Sequence, residues 1–157
     1  MVDSRAKGAE GEKQVKDLLR KHTGLPFERV PMSGALPFMK GDLFVPDTAL
    51  IYCIEVKFYK DDAISTKVFT NKSNNFVQWW AKTVQQAEDN KLEPLLFFKA
   101  NHAQFFVSTK TKPEKVDYMY ISMLDAYICL AEKWLEHEKQ EWTHGDRIYE
   151  PWKATDS

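Results

Sequence analysis

Four charged residues are spaced so that they could act together on one substrate: Glu12 on a predicted helix, then Asp42, and then Glu55 and Lys57 in an Asp-x12-Glu-Val-Lys run. Two carboxylates held side by side repel each other unless something cationic lies between them. Magnesium suits that place, because it is a hard cation that binds one or two carboxylates and fills its other positions with water and phosphate oxygens. A lysine beside it can orient an attacking water or offset the charge that builds on a pentavalent phosphate. The reaction that needs this set is metal-dependent phosphodiester cleavage.

The elements that must bring these groups together can be read locally. Residues 41–45 and 51–58 are rich in β-branched and aromatic side chains and are separated by Pro46-Asp47-Thr48 turn chemistry, which predicts a hairpin. A loop over 47–50 sets Pro46 against Ile51 and Asp42 opposite Glu55, with side chains about 5 Å apart on one face. Along the second strand Tyr52, Ile54, Val56 and Phe58 form an apolar face, while Ile51, Cys53, Glu55 and Lys57 form a face that starts apolar and ends charged. Such a strand runs from the core into a cleft, where the Val56 carbonyl is a further candidate ligand. A solvated hairpin with a surface Glu-x-Lys ion pair fits the same spacing.

Glu12 comes from a separate element. Residues 4–21 read as a helix with Ser4 as N-cap, Ala9, Val15, Leu18 and Leu19 on its apolar side, and Lys13, Lys16, Asp17 and Arg20 facing out. Glu12 falls on the apolar side, where a carboxylate needs a partner such as a metal or its bound water. Pairing with Lys16 along the helix edge is the plain alternative. Gly8 and Gly11 lower helix propensity, a cost that makes sense where a strand or a DNA backbone packs close.

With these residues in place the chain resembles the PD-(D/E)xK nuclease superfamily, and within it the archaeal and phage Holliday junction resolvases. The similarity rests on Ser4-Arg-Ala-Lys-Gly-Ala-Glu-Gly-Glu12, Arg29-Val-Pro-Met-Ser-Gly34, Lys40-Gly-Asp-Leu43 and Ile54-Glu-Val-Lys57, in order through residues 4–58. The resemblance implies that Glu12, Asp42 and Glu55 hold Mg2+, with Mn2+ able to substitute, and that Lys57 assists the chemistry. It also implies that Ser33 acts near the site, that Arg29 and Lys7 contact phosphate, and that the enzyme is a homodimer cutting two opposed strands of a four-way junction. Gly41 stands where many superfamily members carry proline, an exchange expected to be neutral. Residues 35–40 form a long insertion that leaves the substrate open. A duplex-cutting or flap-cutting nuclease, or a DNA-binding protein that does not cleave, would share the fold.

Length and composition fit one domain over residues 1–157, and the resemblance implies an α/β, restriction-endonuclease-like mixed sheet flanked by helices, with its core over about 4–110 and a C-terminal helical extension over about 116–145. The 43% of hydrophobic residues excludes disorder. No stretch reaches the roughly 20 apolar residues of a membrane span, so a soluble protein of the cytoplasm is expected. Cys53 and Cys129 lack zinc-like spacing and read as reduced core residues, the first in a strand and the second in a helix. The formal net charge is −1, yet residues 1–91 carry 14 Lys or Arg against 12 Asp or Glu, and residues 92–157 carry 8 against 11. The proposed catalytic part is the more basic one, and Lys7, Lys13, Arg29, Lys40, Lys60, Lys67 and Lys72 are candidates for phosphate contact.

The remaining chain supplies scaffold. Residues 59–72 read as a polar loop or short strand, followed by a helix capped by Ser73 or Asn74 with Phe76, Trp79, Trp80, Thr83, Val84 and Ala87 on one side. Gln78, Lys82, Gln85 and Gln86 face either nucleic acid or solvent. A strand pair over 95–99 and 104–108, an edge strand over 118–121 and a helix over 123–141 complete the reading.

Overall fold

The computed structural model describes residues 4–31 and 41–144, so Ser33 and Lys40 lie outside the described residues. Its centre is a five-stranded mixed sheet built from β3 (Tyr52–Phe58), β4 (Glu93–Lys99), β5 (Phe106–Thr109), β6 (Met119–Ile121) and β7 (Ala126–Leu130), in the order β3-β4-β5-β7-β6. Only β3 and β4 are parallel, with Glu55 beside Leu96 and Lys57 beside Phe98. The crossover between them is α3 (Asn75–Asp89), capped as expected by Asn74, whose side chain accepts the Val77 N–H at 3.1 Å.

Each face of the sheet carries its own apolar cluster. On one face Val15 and Leu19 of α1 (Ser4–Thr23) pack with Ile54, Val56, Leu95, Phe97 and Val107, and with Trp134 and Leu135 of α4 (Ala131–His137). On the other, Phe76 and Trp80 of α3 pack with Leu96, Phe98, Ala126 and Ile128. The chain is therefore helix, sheet and helix in layers, the α/β architecture expected. The period-two reading of β3 holds: Ile54 and Val56 point to the α1 face, and Glu55 and Lys57 share the face of Leu96 and Phe98.

Gly11 sits where α1 crosses β3. A Cβ there would come 2.8 Å from the Phe58 Cβ, so the helix can approach the strand only because Gly11 has no side chain. Gly8 meets nothing within 4 Å, so the close-packing explanation holds for Gly11 alone.

Three local expectations fail. The 41–45 segment does not form a ladder with β3: β2 (Leu43–Phe44) pairs antiparallel with β1 (Glu28–Arg29), Arg29 lying beside Leu43. The start of the β3 segment is held instead by the C-terminal segment, where Ile51 N–H donates to the Trp142 carbonyl at 2.9 Å and Leu50 bridges to Thr143. Residues 123–141 are not one helix. A 3-10 turn over Ser122–Leu124 ends at Asp125, whose φ of 50° turns the chain into β7, between β5 and β6, before α4 begins. Tyr127, Ile128 and Cys129 are β-favouring and packed on both sides, so Cys129 lies in a strand. The 59–72 loop contains the short helix α2 (Lys67–Thr70).

Candidate active site

Asp42 reaches β3 by a route other than strand pairing. Its N–H donates to the Ile54 carbonyl at 2.7 Å, and its Oδ2 accepts the Val56 N–H at 2.7 Å. The carboxylate thus fills the place of a ladder acceptor on the edge of β3 and is anchored beside Glu55. Gly41 makes this approach possible. It has φ +82°, and a Cβ on it would lie 2.5 Å from the Ile54 carbonyl oxygen. Proline, fixed near φ −65°, cannot take that conformation, so the glycine is a structural requirement here and the expectation of a neutral exchange is corrected.

Glu55 projects from the neighbouring position. Burial pushes its carboxyl up to about 8, and the charge of Asp42 and a hydrogen bond with Asp42 push the same way, while Lys57 and Lys82 pull it down. Two carboxyls in hydrogen-bond contact that hold a proton at neutral pH form a site short of positive charge. A hard divalent cation that takes two carboxylates and keeps water elsewhere fits the pair. Among the described residues no group of three or more His, Cys, Asp and Glu side chains is gathered as a metal cage.

Glu12 stands close by. Burial and the charge of Asp42 raise its carboxyl above the usual range, against the opposing pull of Arg29 and Lys57. It accepts from Arg29 Nε at 3.2 Å, and its side chain is only 15% exposed. Its partner is therefore Arg29, reached from β1, and not Lys16. The pairing of β1 with β2 places that arginine, so the segment before Asp42 delivers a cation to the acidic centre.

Two more groups converge from α3. Gln86, with its amide turned to satisfy both neighbours, donates to Glu55 Oε1 at 2.7 Å and accepts from the Gly41 N–H at 3.2 Å. It ties the glutamate on β3 to the loop that carries Asp42. Lys82, one turn earlier, acts on Glu55 electrostatically. Both belong to the centre, although helical periodicity shows only a polar face. Gln86 is half-buried between buried Thr83 and Ala87, and that proximity to the buried side was the available signal.

The phosphate-contact candidates divide. Lys7 donates to Asn101 Oδ1 at 2.6 Å and lies 5.2 Å from the centre of the Phe58 ring, beyond the charged end of β3. Lys13, Lys60, Lys67 and Lys72 are exposed, and Arg29 is engaged with Glu12.

Comparison with known proteins identifies the family. A family model described as "Phage putative PDDEXK endonuclease" matches residues 3–146. The chain belongs to that phage endonuclease family. This PDDEXK nuclease is also 37% identical over 154 residues to protein D14 of Escherichia phage T5, covering 89% of this chain and 96% of that protein. Hjc, a Holliday junction resolvase of Archaeoglobus fulgidus, is similar over 79% of this chain and 88% of its own, with 17% identity and a TM-score of 0.42, too loose a likeness to carry any residue across. The chain has a mixed sheet between helices, and PDDEXK nucleases generally use divalent metals.

Proposed function

We propose that this PDDEXK nuclease is a Mg2+-dependent, structure-specific endodeoxyribonuclease that acts as a homodimer in the host cytoplasm and makes paired, symmetric nicks in four-way DNA junctions during recombination and repair. The observation that carries the reading is the gathering of Asp42, Glu55, Glu12 and Lys57, from three separate segments, around one acidic centre. Preference for junctions is supported by the resemblance of the 4–58 motifs to resolvases.

Asp42 and Glu55 would hold Mg2+ with the Val56 carbonyl, Glu12 would reach it through a bound water, and Mn2+ would substitute. When bound, the cation supplies Lewis-acid stabilisation of the scissile phosphate and lowers the pKa of water. Asp42 is held for this by the Val56 N–H, and Glu55 is aimed by Gln86. Lys57, two residues along the same face of β3, places its ammonium against the developing negative charge. Arg29 offsets the charge of Glu12 until phosphate arrives, and Lys7, Lys13, Lys60, Lys67 and Lys72 contact the backbone of the DNA arms, with Ser33 and Lys40 as further DNA contacts.

The test is cleavage of a labelled four-way junction beside matched linear duplex and flap DNA, in Mg2+ or EDTA, by wild type and Asp42→Asn. Paired nicks on the junction alone, lost in EDTA and in the variant, are expected. Cutting of duplex or flap instead keeps the metal site and ends the resolvase reading; metal-independent DNA binding without any cutting ends the enzyme reading.

A further inference from the structure

On the α3 face of the sheet, a cavity of about 260 Å³ is lined in part by Phe98, the β4 neighbour of Lys57. Its aromatic walls are Trp79, Phe98 and Phe106, and Asp61 and Asp62 lie exposed at its mouth. Its position ties it to the catalytic strand: Phe98 lies next to Lys57 in the parallel register, and Trp79 is one helical turn from Lys82, which acts on Glu55. The Trp79 ring is itself set edge-on against Tyr59, the residue after β3, with ring centres 5.8 Å apart.

We propose that this cavity receives one unpaired nucleobase of the DNA next to the scissile phosphate. The inference rests on the reading of the chain as a DNA-cutting enzyme and adds a way of recognising departure from plain duplex. Two observations select a base over other parts of DNA. Trp79 and Phe106, both half-buried, offer aromatic surface on which any base can stack, and Phe98, only 4% exposed, closes the floor. The two aspartates at the mouth would repel a phosphate, yet they accept hydrogen bonds from the N–H donors on a base edge, as a carboxylate does best with the paired donors of guanine.

The test is fluorescence anisotropy in EDTA, where binding is read without cutting, on a short duplex carrying one bulged dG, the same duplex with a bulged dT, and the fully paired duplex. Wild type should bind the bulged dG at least about fivefold more tightly than the paired duplex, the lower end of what stacking on an aromatic contributes, and the bulged dT should fall between them. Trp79→Ala removes a wall and Met119→Trp blocks the cavity from an exposed position on β6, so both should erase the preference while retaining affinity for paired DNA. If Trp79→Ala fails to fold, Met119→Trp decides alone. Equal wild-type affinity for bulged and paired DNA, or a preference that survives Met119→Trp, overturns the pocket. A wild type that shows the preference but cuts no DNA supports the pocket and defeats the proposed reaction; one that cuts DNA without the preference does the reverse.

Discussion

The carboxylate of Asp42 accepts the backbone N–H of Val56 at 2.7 Å, so one residue of the acidic centre is fastened to the strand that carries Glu55 and Lys57. This contact has a structural role separable from chemistry. Asparagine in place of Asp42 retains an oxygen for the Val56 N–H, whereas alanine leaves that donor without its acceptor. Asp42→Asn should be inactive but no less stable than wild type, while Asp42→Ala should lose about 1–3 kcal/mol. Chemical denaturation of the two variants checks this, and equal losses of stability would show that the contact holds nothing.

Gly41 has to be glycine for the same contact to form. Gly41→Ala places a methyl group against the Ile54 carbonyl at a positive φ, and Gly41→Pro also removes the N–H that Gln86 accepts. Both should destabilise the protein by more than about 1 kcal/mol and lower cleavage although every charged residue remains. Thermal unfolding and a cleavage assay on the two proteins test it, and a Gly41→Pro variant with normal activity would contradict the geometry.

The raised carboxyl of Glu55 sets the sign of a pH effect. Its ordinary value is 4.5 and its folded value about 8, so between these the folded protein holds a proton that the unfolded chain has released. Without metal, stability should therefore be full below about pH 4.5 as far as this group is concerned, and should fall as pH rises toward 8. Glu55→Gln should flatten that fall. Melting curves in EDTA from pH 5 to 8 read it directly, and an unchanged slope in the variant would place the titration elsewhere.

Gln86 aims Glu55 without being charged. Removing its amide in Gln86→Ala should reduce cleavage about 10- to 100-fold, the usual cost of losing a group that orients a metal ligand, and Gln86→Glu should be worse because it adds another carboxylate. Steady-state rates at saturating Mg2+ decide, and full activity in Gln86→Ala would exclude the role.

The parts of this molecule legible in the sequence are those fixed by local pattern. The α1 face with Val15 and Leu19, the alternation along β3 and the Asn74 cap of α3 all depend on residues a few positions apart. The 41–45 segment reads as half of a hairpin because its turn chemistry suits one, while its actual partner, the two-residue β1, is too short to give a pattern. A side chain, that of Asp42, takes the acceptor's place on β3, and no periodicity marks such a substitution. β7 was hidden for another reason: buried on both faces, its apolar run matches a helical stripe as well as a strand, and the left-handed Asp125 that separates it from the preceding turn shows only in the backbone. Glu12, Asp42, Glu55 and Lys57 could be picked out by residue type and order. Gln86 and the Arg29–Glu12 pair required knowing which elements touch.

The most direct test of the account is a calorimetric titration of Mg2+ into the wild-type protein and Asp42→Asn at neutral pH. The acidic centre predicts a saturating heat in wild type that disappears in the variant while its fold is retained. The same heat in both proteins, or none in wild type, would contradict a metal held by Asp42 and Glu55.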